Sequence, residues 1–122
     1  MTLVRQQLGL YGEDCACEEL ERRGHVIVSR RYQTEHGEID IVSQHNGYTV
    51  FVEVKLKTGS AFGQPEEAVT MQKQQKIVWM ATDYVTRFKL DETPCRFDVV
   101  SVECEFHPPR VTVFEDAFRP GW

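Results

Sequence analysis

Hydrophobic and polar residues alternate along two stretches near the middle of the chain, Glu38–Gln44 and Tyr48–Leu56. An alternation with a period of two is typical of strands that bury one face. Asn46-Gly47 lies between the stretches, and this dipeptide is strongly favoured in two-residue hairpin turns because both of its residues tolerate positive φ angles. The pattern predicts an antiparallel hairpin.

The rest of the chain predicts two helices and three more strands. A helix is expected from about Val4 to Arg23, with Gly24 as its left-handed cap. A second helix is expected from Pro65 to about Phe88, because its apolar residues recur at helical spacing. The remaining strands are expected at Val26–Tyr32, Cys95–Glu103 and Arg110–Phe114. The order α-β-β-β-α-β-β predicts one α/β domain in which helices flank a mixed sheet.

The turn also sets the register of the predicted hairpin, because the residues on either side of a two-residue turn pair with each other. Asp40 then lies opposite Glu53, and Glu38 lies opposite Lys55, on one face. The other face is apolar except for Ser43 and carries Ile39, Ile41, Val50, Val52 and Val54. The register therefore separates a buried face from a charged face.

Asp40 opposite Glu53 is an unfavourable pair unless a cation lies between the carboxylates, since like charges across a strand pair repel. Ligands that are all oxygen favour Mg²⁺ or Mn²⁺ over zinc. Lys55 emerges on the same face about 6.6 Å beyond Glu53, where an ammonium can orient water or stabilise charge on a phosphate. The pattern indicates metal-assisted phosphodiester hydrolysis. A surface ion pair between Glu38 and Lys55, with solvated acids nearby, is the alternative explanation.

Two charged residues interrupt apolar stripes on the predicted helices. Glu13 shares a helix face with Ala16 and Leu20, and Lys73 extends the stripe that contains Ile77. Each is a candidate site residue. Each is also explained by a boundary position from which the charged end of the side chain reaches water.

The 122-residue chain has a net charge of −5, which argues against a general polyanion binder. Contacts with nucleic acid are therefore expected to be local. The basic candidates are Arg22, Arg23, Arg30, Arg31, Lys55, Lys57, Lys73 and Lys76. No apolar run has the length of a membrane span and Met1–Leu10 does not match a secretory signal, so a cytoplasmic protein without a membrane partner is expected.

Other site chemistry has little support in the sequence. The four cysteines form no C-x-x-C pair and are expected to be buried thiols. The four histidines lie on different predicted elements without metal-ligand spacing, and no metal role is assigned to them. Nucleotide-binding G-x-x-x-x-G-K-[ST] and hydrolase G-x-S-x-G motifs are absent from the sequence.

Several segments together resemble the YraN-like family of bacterial proteins, and the resemblance covers nearly the whole chain. The segments are Gly9, Gly12-Glu13, Gly37–Val42, Phe51–Lys55, Phe62-Gly63 with Pro65 and Lys73, Cys95–Val100 and Asp116–Phe118. The YraN-like family is in turn similar to the PD-(D/E)xK nuclease superfamily, and particularly to archaeal Holliday-junction resolvases. The resemblance implies a restriction-endonuclease-like fold.

The same resemblance implies roles for individual residues. Asp40, Glu53 and Lys55 match the catalytic acid, second acid and lysine of the superfamily, and Glu13 matches the additional glutamate that resolvases carry on their first helix. Many relatives have Asn and then Arg before the Gly37 segment, whereas this chain has Arg31-Tyr32-Gln33, so a phosphate contact from that segment is less secure.

The first hypothesis is a nuclease that acts on DNA, including branched DNA, with Asp40 and Glu53 holding Mg²⁺ or Mn²⁺. Lys73, Lys57 and Arg31 are then the expected nucleic-acid contacts, and Glu38 is a supporting residue. A homodimer is expected by analogy with resolvases, and a partner protein is compatible with the acidic charge. The second hypothesis is a non-catalytic module that binds nucleic acid or protein. A mononucleotide or RNA substrate is a third hypothesis.

Overall fold

A computed structural model describes residues 3–57 and 69–120 of the chain. Two helices and five strands follow the order α-β-β-β-α-β-β, which confirms the predicted order. The elements are α1 (Leu3–Arg22), β1 (Val26–Thr34), β2 (Gly37–His45), β3 (Tyr48–Lys57), α2 (Met71–Arg87), β4 (Cys95–Glu103) and β5 (Arg110–Phe114). No helix in the described ranges is long and apolar enough to cross a membrane.

The strands form one mixed sheet in the order β1-β2-β3-β4-β5. β3 and β4 are parallel and the other neighbours are antiparallel. A parallel pair needs a crossover connection, and α2 lies between β3 and β4 in the chain. One helix therefore covers each face of the sheet, as the sequence order predicts.

The β2–β3 hairpin has the predicted turn. Asn46 and Gly47 both have positive φ angles, 51° and 84°, as the favoured two-residue turn requires. The ladder runs from His45 opposite Tyr48 to Ile41 opposite Val52, which confirms the predicted register over that length. The pairing does not extend to Glu38 and Lys55, because β2 separates from β3 beyond Ile41.

Two apolar clusters cover the faces of the sheet. The cluster beneath α1 contains Ala16, Leu20, Ile41, Val50, Val52, Val100 and Val102. The cluster beneath α2 contains Ile39, Val42, Phe51, Ile77, Met80, Tyr84, Phe97 and Val99. Each face thus has its own core.

Ile39 packs on a different face from the one that the alternation predicts. It lies in the α2 cluster with Val42 and Phe51 rather than with Ile41. The change occurs where β2 leaves its ladder with β3, beyond Ile41 and Val52. On the other side of β2, Arg30 pairs with Ile41 and Tyr32 pairs with Ile39, while Arg31 between them has a φ angle of 54°. The alternation of β2 therefore fails beside an irregular residue of β1 and at the end of a ladder.

The ends of the helices partly match the expectations. Gly24 has a φ angle of 95°, as predicted for the residue that follows α1. Thr70 is extended and caps α2, and its hydroxyl accepts a hydrogen bond from the Lys73 N–H. An extended Thr70 cannot lie inside a helix, so one continuous helix from Pro65 is wrong. Pro65 itself lies outside the described residues.

Candidate metal and phosphate site

Asp40 lies where β2 separates from β3. If the ladder continued beyond Ile41 and Val52, the Val54 N–H would donate to the carbonyl of Ile39. It donates instead to Asp40 Oδ2 at 2.8 Å. The carboxylate therefore takes the place of a backbone carbonyl in the sheet, and its position is set by the strand that carries Glu53.

Asp40 and Glu53 line one small cavity, so both carboxyl groups lie on one side of the sheet, as the register predicts. Burial raises the pKa of Asp40 to about 8, and repulsion from Glu53 adds to this effect. Glu53 Oε2 is buried and has no hydrogen-bond partner. A buried acceptor without a hydrogen-bond donor is costly unless a cation lies beside it.

The space beside these acids is a small cavity of about 10 Å³. Glu38, Asp40 and Glu53 line it, together with apolar side chains from the sheet and from α2, among them Ile77 and Met80. A volume of this size holds about one water molecule or one ion and is too small for a nucleotide base. The oxygen-only donors suit Mg²⁺ or Mn²⁺, so Asp40 and Glu53 fit the expected metal.

Lys55 and Glu38 do not form the ion pair of the alternative explanation. Glu38 accepts a hydrogen bond from Gln33 on β1. Lys55 makes no hydrogen bond or ion pair with any residue that the structure describes, so its ammonium is not committed to them. Lys57 lies at the end of β3, two residues beyond Lys55 and further from the acids.

Lys73 reaches the acid pair from the first turn of α2. Its ammonium nitrogen lies 3.5 Å from Glu53 Oε2, and its side chain is 41% exposed. The contact is an ion pair without a hydrogen bond. Lys73 thus places a positive charge between the acid pair and solvent.

Glu13 approaches Asp40 from α1, and its negative charge contributes to the raised pKa of Asp40. Its side chain is only 11% exposed. Both of its oxygens accept hydrogen bonds from Arg31 Nε, at 3.1 and 3.0 Å. Arg30 Nη2 lies 3.5 Å from the same carboxylate and 2.9 Å from Asp14. The structure therefore brings Glu13 and Arg31 to the acid pair that the hairpin predicts.

A second group of potential ligands was missed by the sequence analysis. The rings of His25 and His45 stack at 4.0 Å, and Glu115 lies near them. Arg96 Nη2 is 3.0 Å from His45 Nδ1 and 3.7 Å from Glu115 Oε1, so a guanidinium already occupies the position of a cation. Burial and the neighbouring His45 lower the pKa of His25 to about 4. The antiparallel pairing of β1 and β2 is the signal that could have revealed the stacked rings.

Asp98 anchors that guanidinium and belongs to the family-like segment Cys95–Val100. It accepts two hydrogen bonds from Arg96, each at 2.9 Å, and one from the backbone N–H of Asp116 at 3.0 Å. The Ala117 N–H donates to the carbonyl of Phe97 at 2.8 Å. This segment therefore holds the C-terminal residues against β4 and has a structural role.

Comparisons with known proteins give a consistent result. The profile of a family described as "Uncharacterised protein family UPF0102" matches residues 12–102. A UPF0102 protein of Syntrophotalea carbinolica is 41% identical over the full length of both chains. One from Lachnoclostridium phytofermentans is 50% identical over 75% of this chain and 79% of its own. A third, from Dehalococcoides mccartyi, is 36% identical over 96% and 97%. These names state no activity.

Proposed function

The chain belongs to the UPF0102 (YraN-like) family, and from its acid pair we propose that it is a metal-dependent endonuclease that hydrolyses phosphodiester bonds in DNA. The observation that carries the proposal is the partly buried pair of Asp40 and Glu53, in which the buried Oε2 of Glu53 has no hydrogen-bond donor. We place this activity in the cytoplasm and include branched DNA among the substrates.

The acid pair is hard to explain as part of the core. Two carboxylates that are both partly buried repel each other, and each loses hydration. A protein stabilised only by packing gains nothing from this arrangement, whereas a divalent cation makes both charges favourable. Asp40 and Glu53 are the residues that would hold Mg²⁺ or Mn²⁺. When bound, such an ion supplies a positive charge for the phosphate and lowers the pKa of water.

Basic residues around the acids match the needs of phosphodiester hydrolysis. Lys55 has an uncommitted ammonium on the same strand as Glu53, and we assign to it the orientation of the attacking water or the stabilisation of charge on the phosphate. Lys73 binds the approaching phosphate, and Lys57 contacts the strand further along β3. Glu38 supports the site from β2.

The test is a cleavage screen with Mg²⁺ or Mn²⁺ over duplex, single-stranded, flap and four-way DNA. We expect metal-dependent cleavage of at least one substrate by the wild type and none by Asp40→Ala. An exposed acid on α2 offers a matched control, and Asp83→Ala should cleave like the wild type. Metal-dependent binding of DNA without cleavage of any substrate would favour the non-catalytic module instead.

A further inference from the structure

Arg31 has an unusual backbone conformation for its position. Its φ angle of 54° is in the left-handed region, which is unfavourable for a residue with a long side chain. The described residues include three other non-glycine residues with positive φ, and each of them lies in a turn. Arg31 alone among the four lies within a strand. Strain of this kind is often associated with functional sites.

The strained residue lies beside the acid pair. Arg30 pairs with Ile41 and Tyr32 pairs with Ile39, so Arg31 falls on β1 next to Asp40 on β2. Adjacent strands are separated by about 4.8 Å, so the backbone of Arg31 is close to the metal site. The backbone conformation of Arg31 therefore affects the surroundings of Asp40.

The side chain of Arg31 is held at one end and open at the other. Its Nε donates to both oxygens of Glu13, while the side chain is 42% exposed. The terminal Nη groups make no hydrogen bond within residues 3–57 and 69–120. A guanidinium has five N–H donors in a planar fork, and four of them remain for a ligand with two acceptor oxygens. A phosphate of a nucleic-acid backbone has this chemistry.

Arg30, the residue before Arg31 on β1, directs its guanidinium at the acids of α1 instead. Its Nη2 is used for Asp14, at 2.9 Å, and also lies 3.5 Å from Glu13. The outer end of its guanidinium is therefore committed to acids of α1. The carboxylate of Glu13 thus keeps Arg31 in one orientation and neutralises part of the local positive charge.

We infer that Glu13 is a positioning residue that aims Arg31 as a phosphate clamp, so that a nucleic-acid backbone is held across β1 and into the acid pair. The inference deepens the proposed nuclease function and rests on it for what happens to the bound strand. It also gives an acidic chain a local contact for a polyanion, because the free N–H donors of one oriented fork match two phosphate oxygens.

The first test measures binding of labelled duplex and four-way DNA by fluorescence anisotropy over a range of salt, with Ca²⁺ in place of Mg²⁺. Arg31→Gln should weaken binding about tenfold, and the slope of log affinity against log salt should fall by about one phosphate contact. Arg31→Lys, which keeps the charge but loses the fork, should recover only part of the affinity. Arg110→Gln removes the same charge from β5, at the opposite edge of the sheet, and should change binding by less than about twofold.

Equal effects of Arg31→Gln and Arg110→Gln would overturn the clamp. The role of Glu13 is tested by adding Glu13→Gln to the wild type and to Arg31→Gln. A positioning role predicts weaker binding in the first case and no further loss in the second. Equal losses in both, or loss of Mn²⁺ binding in Glu13→Gln, would overturn positioning. If the wild type cleaves no substrate but Arg31 is still needed for DNA binding, the nuclease proposal is overturned and the phosphate clamp is not.

Discussion

Replacement of Asp40 by Asn should make the protein more stable, and the gain should increase with pH. The amide is nearly isosteric with the carboxyl group, and its oxygen can still accept the hydrogen bond from the Val54 N–H. It removes the buried charge and the repulsion from Glu53. The change therefore separates the cost of the acid from its contribution to the sheet.

The magnitude follows from the pKa of Asp40, which the fold raises from 3.8 to about 8. The folded state binds this proton more tightly than the unfolded state, so the contribution to stability is fully present below pH 4. It is lost as pH rises from about 4 to about 8. Each pH unit in that window is worth about 1.4 kcal/mol, so between pH 5 and pH 7 the wild type should lose about 3 kcal/mol that the variant keeps.

Urea unfolding in the presence of a chelator at pH 5 and at pH 7 measures this difference. The gap in the free energy of unfolding between Asp40→Asn and the wild type should widen by about 3 kcal/mol. Effects of titrating groups that do not interact with Asp40 cancel in that comparison. Asp83→Asn, which neutralises an exposed acid on α2, should show a constant gap. A constant gap for Asp40→Asn as well would refute the burial of an acidic charge at this position.

Three further predictions concern the site. Lys55→Ala should slow cleavage by roughly 100-fold or more and leave Mn²⁺ binding unchanged, whereas Lys57→Ala should have a small effect on both. A cleavage assay measures the first quantity and calorimetry measures the second. Lys73→Met should raise Mn²⁺ affinity at least about threefold, because it removes a competing cation from Glu53, and should weaken DNA binding. The expected homodimer should give a mass of twice that of the chain in light scattering, and a monomer at working concentration would remove that expectation.

Most of the fold could be predicted because its signals are local. The alternation around Asn46-Gly47 identifies two strands, their turn and their register without any knowledge of the rest of the chain. The predicted bounds of β4 and β5 match the structure for the same reason, since both strands are rich in valine and phenylalanine and each begins directly after a proline. The hairpin register also predicts that Asp40 lies near Glu53, although the ladder ends at Ile41 and Val52 and the Val54 N–H holds the Asp40 carboxylate in place.

Features that depend on packing between elements could not be predicted. The left-handed Arg31 and the reversed side of Ile39 arise where two strands separate, and no propensity of either residue signals this. The contact of Lys73 with Glu53 depends on how α2 crosses the sheet, and the partner of Glu13 depends on how α1 does. Helical spacing indicates that these charges face inward but not what they meet.

The central claim is that Asp40 and Glu53 together hold a divalent cation. Calorimetric titration of the protein with Mn²⁺ at pH 6, 7 and 8 tests it most directly. We predict saturable binding by the wild type that strengthens with pH, because the ion must displace the proton of Asp40, and no binding by Asp40→Asn or Glu53→Gln. Mn²⁺ binding of equal strength in the wild type and in both variants, or none in the wild type at pH 8, would contradict the claim.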